Sequence, residues 1–120
     1  MSGKVNVLGT EYKIKTRKVS EDAELKQRHL AGYCAEDTKE IIIADMTDKE
    51  LFPNMTAKEM RIYRRQVLRH EIVHAFLCES GLTDSTIVPE QGWARNEEMV
   101  DWFAIQSPKI FKAFADAGCL

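Results

Sequence analysis

Two histidines four residues apart, with a glutamate directly after the first, carry the clearest chemistry in the sequence. His70-Glu71-Ile72-Val73-His74 is H-E-x-x-H, set inside a long run of helical periodicity. A helix turns about 100° per residue, so side chains four apart stand about 40° apart and one turn up. The spacing predicts two imidazoles on one face, converging on a single ion. Zinc is the expected ion, because imidazole suits it and three protein ligands suffice when water fills the fourth position. Glu71 leaves the helix at another angle, from which it can take a proton from a water at the ion.

The third ligand must come from elsewhere, and Asn96-Glu97-Glu98-Met99-Val100-Asp101-Trp102-Phe103-Ala104 is the best source. Glu97 and Asp101 are four apart on a second helical pattern and share a face. Glu97 is the expected metal ligand, with Asp101 accepting the free N–H of a ligand histidine. That outer hydrogen bond fixes the tautomer and raises ligand basicity. Glu98 is the rival, but its neighbour four residues on is Trp102, which cannot accept such a bond.

With both helical segments in view, the chain resembles the gluzincin metallopeptidases, whose best-known member is thermolysin. Glu97-x-x-Val100-Asp101-x-Phe103-Ala104 is similar to the E-x-x-A-[ND]-x-F-A segment of the ImmA/IrrE-type metallo-endopeptidases. Those are proteins of bacteria, phages and mobile elements that cleave regulatory proteins, notably repressors. The resemblance covers about residues 68–104 and departs at Val100, where the pattern has alanine. It implies a small zincin-like peptidase of phage or prophage type, with His70, His74 and Glu97 holding Zn2+, Glu71 catalytic and Asp101 behind a ligand. Its implied partner is a protein or peptide substrate.

Length and composition agree with a single domain over residues 1–120. The chain is 44% hydrophobic and 30% charged, as globular proteins are. A net charge of −2 argues against nucleic-acid binding by phosphate neutralisation. No apolar run approaches the roughly 18 residues of a membrane helix, and the first residues lack a signal peptide's apolar core. Three widely spaced cysteines, Cys34, Cys78 and Cys119, suggest reduced thiols and a cytoplasmic setting. Cys78 lies four past His74 and reads as a small buried hydrophobe. The oligomeric state is left open.

The expected fold class is α+β: a small antiparallel sheet packed on the long H-E-x-x-H helix, with the glutamate helix crossing nearby. Residues 4–8 and 11–19 alternate polar and apolar about a turn at Gly9-Thr10, which predicts a hairpin. Ser20 is the expected cap of a weak helix that contains His29, a surface histidine with a minor claim to an oxyanion role. Residues 31–35 read as a short strand, and Glu40-Ile41-Ile42-Ile43-Ala44 as a strong one, buried on both faces or edged by an extended substrate. A short helix is expected at 48–52. Thr56 and Glu59 have capping-box spacing, and Gly81 suits the position after a helix end near Ser80.

Within the long helix, Arg61, Arg65 and Arg69 form a stripe opposite the histidines, with Arg64 nearby. Met60, Tyr63 and Val67 share the histidine side, so Tyr63 either packs or reaches the cleft. Residues 72–78 are apolar almost all round, which predicts burial on every face. Trp93, in the turn-rich stretch 82–95, either walls the cleft or packs. Pro108 is expected to start a separate last helix that Gly118 stops.

Two other functional readings accompany the peptidase. In one, the protein is a catalytically silent, metal-stabilised binding or regulatory module of phage origin, with the arginine stripe as its contact face. In the other, it is a latent peptidase whose tail, Gly118-Cys119-Leu120, occupies the cleft.

Overall fold

The computed structural model describes residues 3–28, 30–84 and 92–120. His29 and much of the loop expected over 82–95 lie outside the described residues. β1 (Gly3–Val7) and β2 (Thr10–Arg17) form the expected antiparallel hairpin, with Val7 opposite Thr10. The turn is Leu8-Gly9, one residue earlier than the alternation suggested. Both residues have positive φ, 51° and 93°, the primed geometry whose twist matches paired strands. Asn6 Oδ1 accepts the Gly9 N–H at 3.0 Å and secures it.

β3 (Gly32–Ala35) pairs antiparallel with β4 (Glu40–Ala44), and β4 lies parallel to β2, with Ile14 beside Ile41. The order is β1-β2-β4-β3. The sheet is therefore mixed, not the antiparallel one expected. Alternation marks a strand but not its direction. Here the chain leaves β2 through a 3-10 turn (Val19–Glu21) and α1 (Ala23–Arg28), and β3 then carries it back so that β4 enters the sheet parallel to β2.

β4 is the central strand, and Ile41, Ile42 and Ile43 are 0–1% exposed, so both faces are covered as the isoleucine run predicted. Ile41 and Ile43 join Val7, Tyr12, Val67 and Ala75 in one cluster. Ile42 joins Leu25 of α1 in another. Each such burial contributes about 1.5–3 kcal/mol.

Asp22, not Ser20, caps α1. Its Oδ1 accepts the Leu25 N–H at 3.1 Å, while Oδ2 takes the Tyr33 hydroxyl at 2.8 Å and the Arg17 guanidinium at 3.3 Å. Ser20 is taken up inside the 3-10 turn. The helix expected at 48–52 closes only one turn, from the Phe52 N–H to the Asp48 carbonyl at 2.9 Å.

α2 (Ala57–Glu79) starts at the predicted capping box. The Glu59 N–H donates to Thr56 Oγ1 at 3.1 Å, and the Thr56 N–H donates back to Glu59 Oε1 at 3.4 Å. Ser80 ends it, and Gly81 follows at φ 80°. Only Val67, Glu71 and Ala75 are buried, a stripe at intervals of four. The all-round burial expected over 72–78 is not found, and Phe76 is 41% exposed. α2 packs on the sheet and on α3, which leaves part of its circumference uncovered.

α3 (Glu97–Asp116) is capped by Asn96, whose side chain accepts the Met99 N–H at 2.8 Å. It runs straight through Pro108, so the separate last helix expected there is part of α3. Proline brings no N–H for the carbonyl four residues back, here Ala104. Arg69 Nε of α2 donates to that carbonyl oxygen at 2.5 Å. A side chain from the neighbouring helix thus replaces the missing backbone donor. Among the described residues, no helix is long and apolar enough to cross a membrane.

Candidate metal centre

The capping box fixes where α2 begins, and the Val67–Glu71–Ala75 stripe fixes how it is rotated against the sheet. That rotation sets His70 and His74 beside the buried stripe, their rings edge to face with centroids 4.7 Å apart. Their Nε2 atoms lie 3.0 Å from each other. From α3, Glu97 Oε1 approaches His74 Nε2 to 2.8 Å and His70 Nε2 to 3.1 Å. Asp101, one turn on, accepts the His70 Nδ1–H at 2.7 Å. The two helices thus bring Glu97 and Asp101 to the histidines in the arrangement that the i,i+4 spacing suggested.

The donor set suits a divalent cation. In the tautomer whose His70 Nδ1–H donates to Asp101, Nε2 carries a bare lone pair. That lone pair faces the His74 nitrogen and an acidic oxygen. Three such atoms mutually within 3.1 Å repel one another unless a proton or a cation sits among them. Tetrahedral donors at about 2.0–2.2 Å from zinc stand roughly 3.3–3.6 Å apart, close to this spacing.

A second carboxylate is near. His70, Glu71 and His74 themselves form a group that can hold a metal ion, with Glu71 Oε2 4.0 Å from His70 Nε2. Glu97 is the nearer oxygen, lies within reach of both nitrogens, and has a side chain 67% exposed, so it closes the site from the solvent side. Glu71 is 5% exposed and belongs to the buried stripe. Burial raises its carboxyl to about 7; the proximity of His70 opposes this, while Glu97 and Asp101 push the same way. Burial lowers the basicity of His74 and favours its neutral imidazole, the form that ligates metals, while the Glu97 carboxylate pushes the other way.

Glu98 is exposed and forms no hydrogen bond or ion pair with either histidine of the motif. Trp93 is 60% exposed, and among the described residues of its short turn it is Arg95 that lines the cleft. Tyr63 does reach the cleft. Cys78 is half-buried, whereas Cys34 of β3 lines the cleft with its thiol pushed up to about 12 by burial. The tail stays on the end of α3, where the Cys119 N–H donates to the Phe114 carbonyl at 3.0 Å.

Two residues that matter to the site were not singled out from the sequence. Gly32 lets β3 lie against α2: a Cβ there would fall 2.8 Å from Val67 Cγ1, one turn before Glu71. A glycine inside a strand is the available signal for such an approach. Arg69 reads only as part of a charged stripe, and its pairing with Ala104 needs the fold. Compared with protein-family models, with curated proteins and with solved structures, the chain finds no match.

Proposed function

We propose that the protein is a zinc-dependent endopeptidase of gluzincin-like type, with His70, His74 and Glu97 as the metal ligands. The observation that carries this reading is one carboxylate oxygen, Glu97 Oε1, standing within 3.1 Å of both imidazole Nε2 atoms while Asp101 holds the far side of His70. Bound there, zinc would supply Lewis acidity, polarising a scissile carbonyl and lowering the pKa of a water to about 7. Glu71 takes the proton of the attacking water on its carboxylate and returns it to the leaving amine. Its buried position, which raises the carboxyl toward neutrality, suits a group that must both accept and release a proton. Asp101 keeps His70 in the tautomer that presents Nε2 to the metal.

The substrate backbone would join the sheet at β3. β4, whose isoleucine run suggests such a contact, is paired on both sides, by β2 and β3. β3 is an edge strand beside the site, and among the described residues no strand pairs with its outer edge. An extended peptide added there would cross the histidine pair. A regulatory protein such as a repressor fits as substrate through the resemblance of residues 68–104.

A metal-stabilised binding module is the second reading, favoured by exposed aromatics on α3, among them Trp102, Phe111 and Phe114. Turnover separates the two. A denatured protein mixture incubated with the zinc-loaded chain should yield fragments that chelator abolishes. Glu71→Gln should keep fold and metal and lose about 10²–10⁴-fold in rate. A glutamine variant that cuts as fast as the parent rules out this role for Glu71.

A further inference from the structure

We propose that the cleft at the histidine pair continues into an apolar recess, so that the peptide it takes carries a bulky apolar side chain beyond the residue flanking the scissile bond on its C-terminal side. The proposal rests on the peptidase reading for the position of that bond.

A cavity of about 270 Å³ lies against His70, Glu71 and Asp101. Leu30, Ala31 and Tyr63 wall it on one side. The same three residues also wall a second recess of about 390 Å³, which makes the two spaces neighbours across a shared rim. Beyond that rim the lining is Val19, Leu25, Leu51 and Phe52, and Lys26 is its one charged neighbour among the described residues. Leu51 is 48% exposed, so this apolar surface stays open to solvent. An engineered cavity of roughly 150 Å³ already holds benzene, so the recess has room for a phenylalanine, leucine or methionine side chain.

The other end of the cleft has the opposite character. Glu36, Asp37 and Arg95 line it, with Glu36 and Arg95 paired at 3.6 Å. A chain laid across the histidines therefore meets charge at one end and hydrocarbon at the other. β3 runs from Gly32, beside the apolar end, to Ala35, beside the charged end. Antiparallel pairing is the more stable per residue, and a peptide laid antiparallel on the free edge of β3 runs the other way, so its residues after the scissile bond approach the recess. Alternate residues of an extended chain face the same side. The first such residue meets the cavity at Glu71, and a later one meets the recess.

Retention of peptides tests this without turnover. A random octapeptide mixture is passed over immobilised zinc-loaded Glu71→Gln protein, and the retained peptides are sequenced. Phenylalanine, leucine and methionine should be enriched at least about tenfold at one fixed position. Leu51→Asp, at a half-exposed turn position and with the fold checked by circular dichroism, should return that enrichment to background when added to the trap. Retention without apolar enrichment, no retention at all, or enrichment that survives Leu51→Asp would each overturn the recess. The wild-type protein is given the same mixture. Enriched retention with no cleavage refutes the peptidase reading and leaves the recess standing. Cleavage with no apolar preference after the cut refutes the recess and leaves the peptidase.

Discussion

Replacing Arg69 with methionine should destabilise the protein by about 1–3 kcal/mol, through a carbonyl rather than through a charge pair. Ala104 is 0% exposed, so its carbonyl has little recourse to water. Pro108 removes the N–H that would ordinarily bond to it, and Arg69 Nε, at 2.5 Å, is the donor that takes its place. Methionine keeps the aliphatic stem and drops the donor, which leaves a buried acceptor unsatisfied. Urea unfolding measures the loss as a shift in midpoint at constant slope. The mechanism predicts a specific rescue. Pro108→Ala returns a backbone N–H to the Ala104 carbonyl, and in that background Arg69→Met should cost about 0.5 kcal/mol or less. Equal costs in the two backgrounds would refute the reasoning. Because Ala104 is one turn past Asp101 on α3 and Arg69 adjoins His70 on α2, Arg69→Met should also weaken zinc binding, read by competition with a chelator.

Three further perturbations follow from the packing and electrostatics. Gly32→Ala places a Cβ 2.8 Å from Val67 Cγ1 and 2.9 Å from the Ile42 carbonyl oxygen, and backbone cannot give way as a side chain can, so unfolding measurements should show a loss of about 1–3 kcal/mol. Asp101→Ala should leave the circular dichroism unchanged while zinc affinity falls about 10–100-fold, because only the outer hydrogen bond on His70 is lost. Glu79 is held down to about 2, first by the Lys39 ammonium and then by the Tyr12 hydroxyl, with Thr10 also donating. A carboxyl depressed in the folded state adds stability above its ordinary value of 4.5 and loses it as pH falls toward about 2. Glu79→Gln should therefore flatten the acid limb of the stability curve over that window; an unchanged limb would show that the cluster does not set it.

Local signals in the sequence were enough to place the helix of the histidine pair. The capping box at Thr56, the glycine after Ser80 and the four-residue spacings of His70–His74 and Glu97–Asp101 are short-range geometry, and each is where the spacing puts it. The triple isoleucine likewise marks a strand covered on both faces. What the sequence did not disclose depends on partners far along the chain. The parallel pairing of β2 with β4 is set by where α1 and β3 carry the backbone. Pro108 reads as a helix start because proline usually is one; its helix continues because Arg69, 39 positions earlier, supplies the missing donor. Ser20 looks as good a cap as Asp22 until Tyr33 and Arg17 are seen to converge on the aspartate. The expected burial of residues 72–78 missed because apolar content alone does not say how many neighbours a helix has.

Zinc titration of the purified wild-type and Glu97→Ala proteins, by elemental analysis and chelator competition, tests the proposed three-ligand site most directly. One tightly held zinc per chain in the wild type, with affinity falling at least about tenfold when the Glu97 carboxylate is removed, is the predicted result. A wild-type chain that holds no stoichiometric metal, or a Glu97→Ala chain that holds it as tightly, would contradict the assignment of His70, His74 and Glu97 as a metal centre.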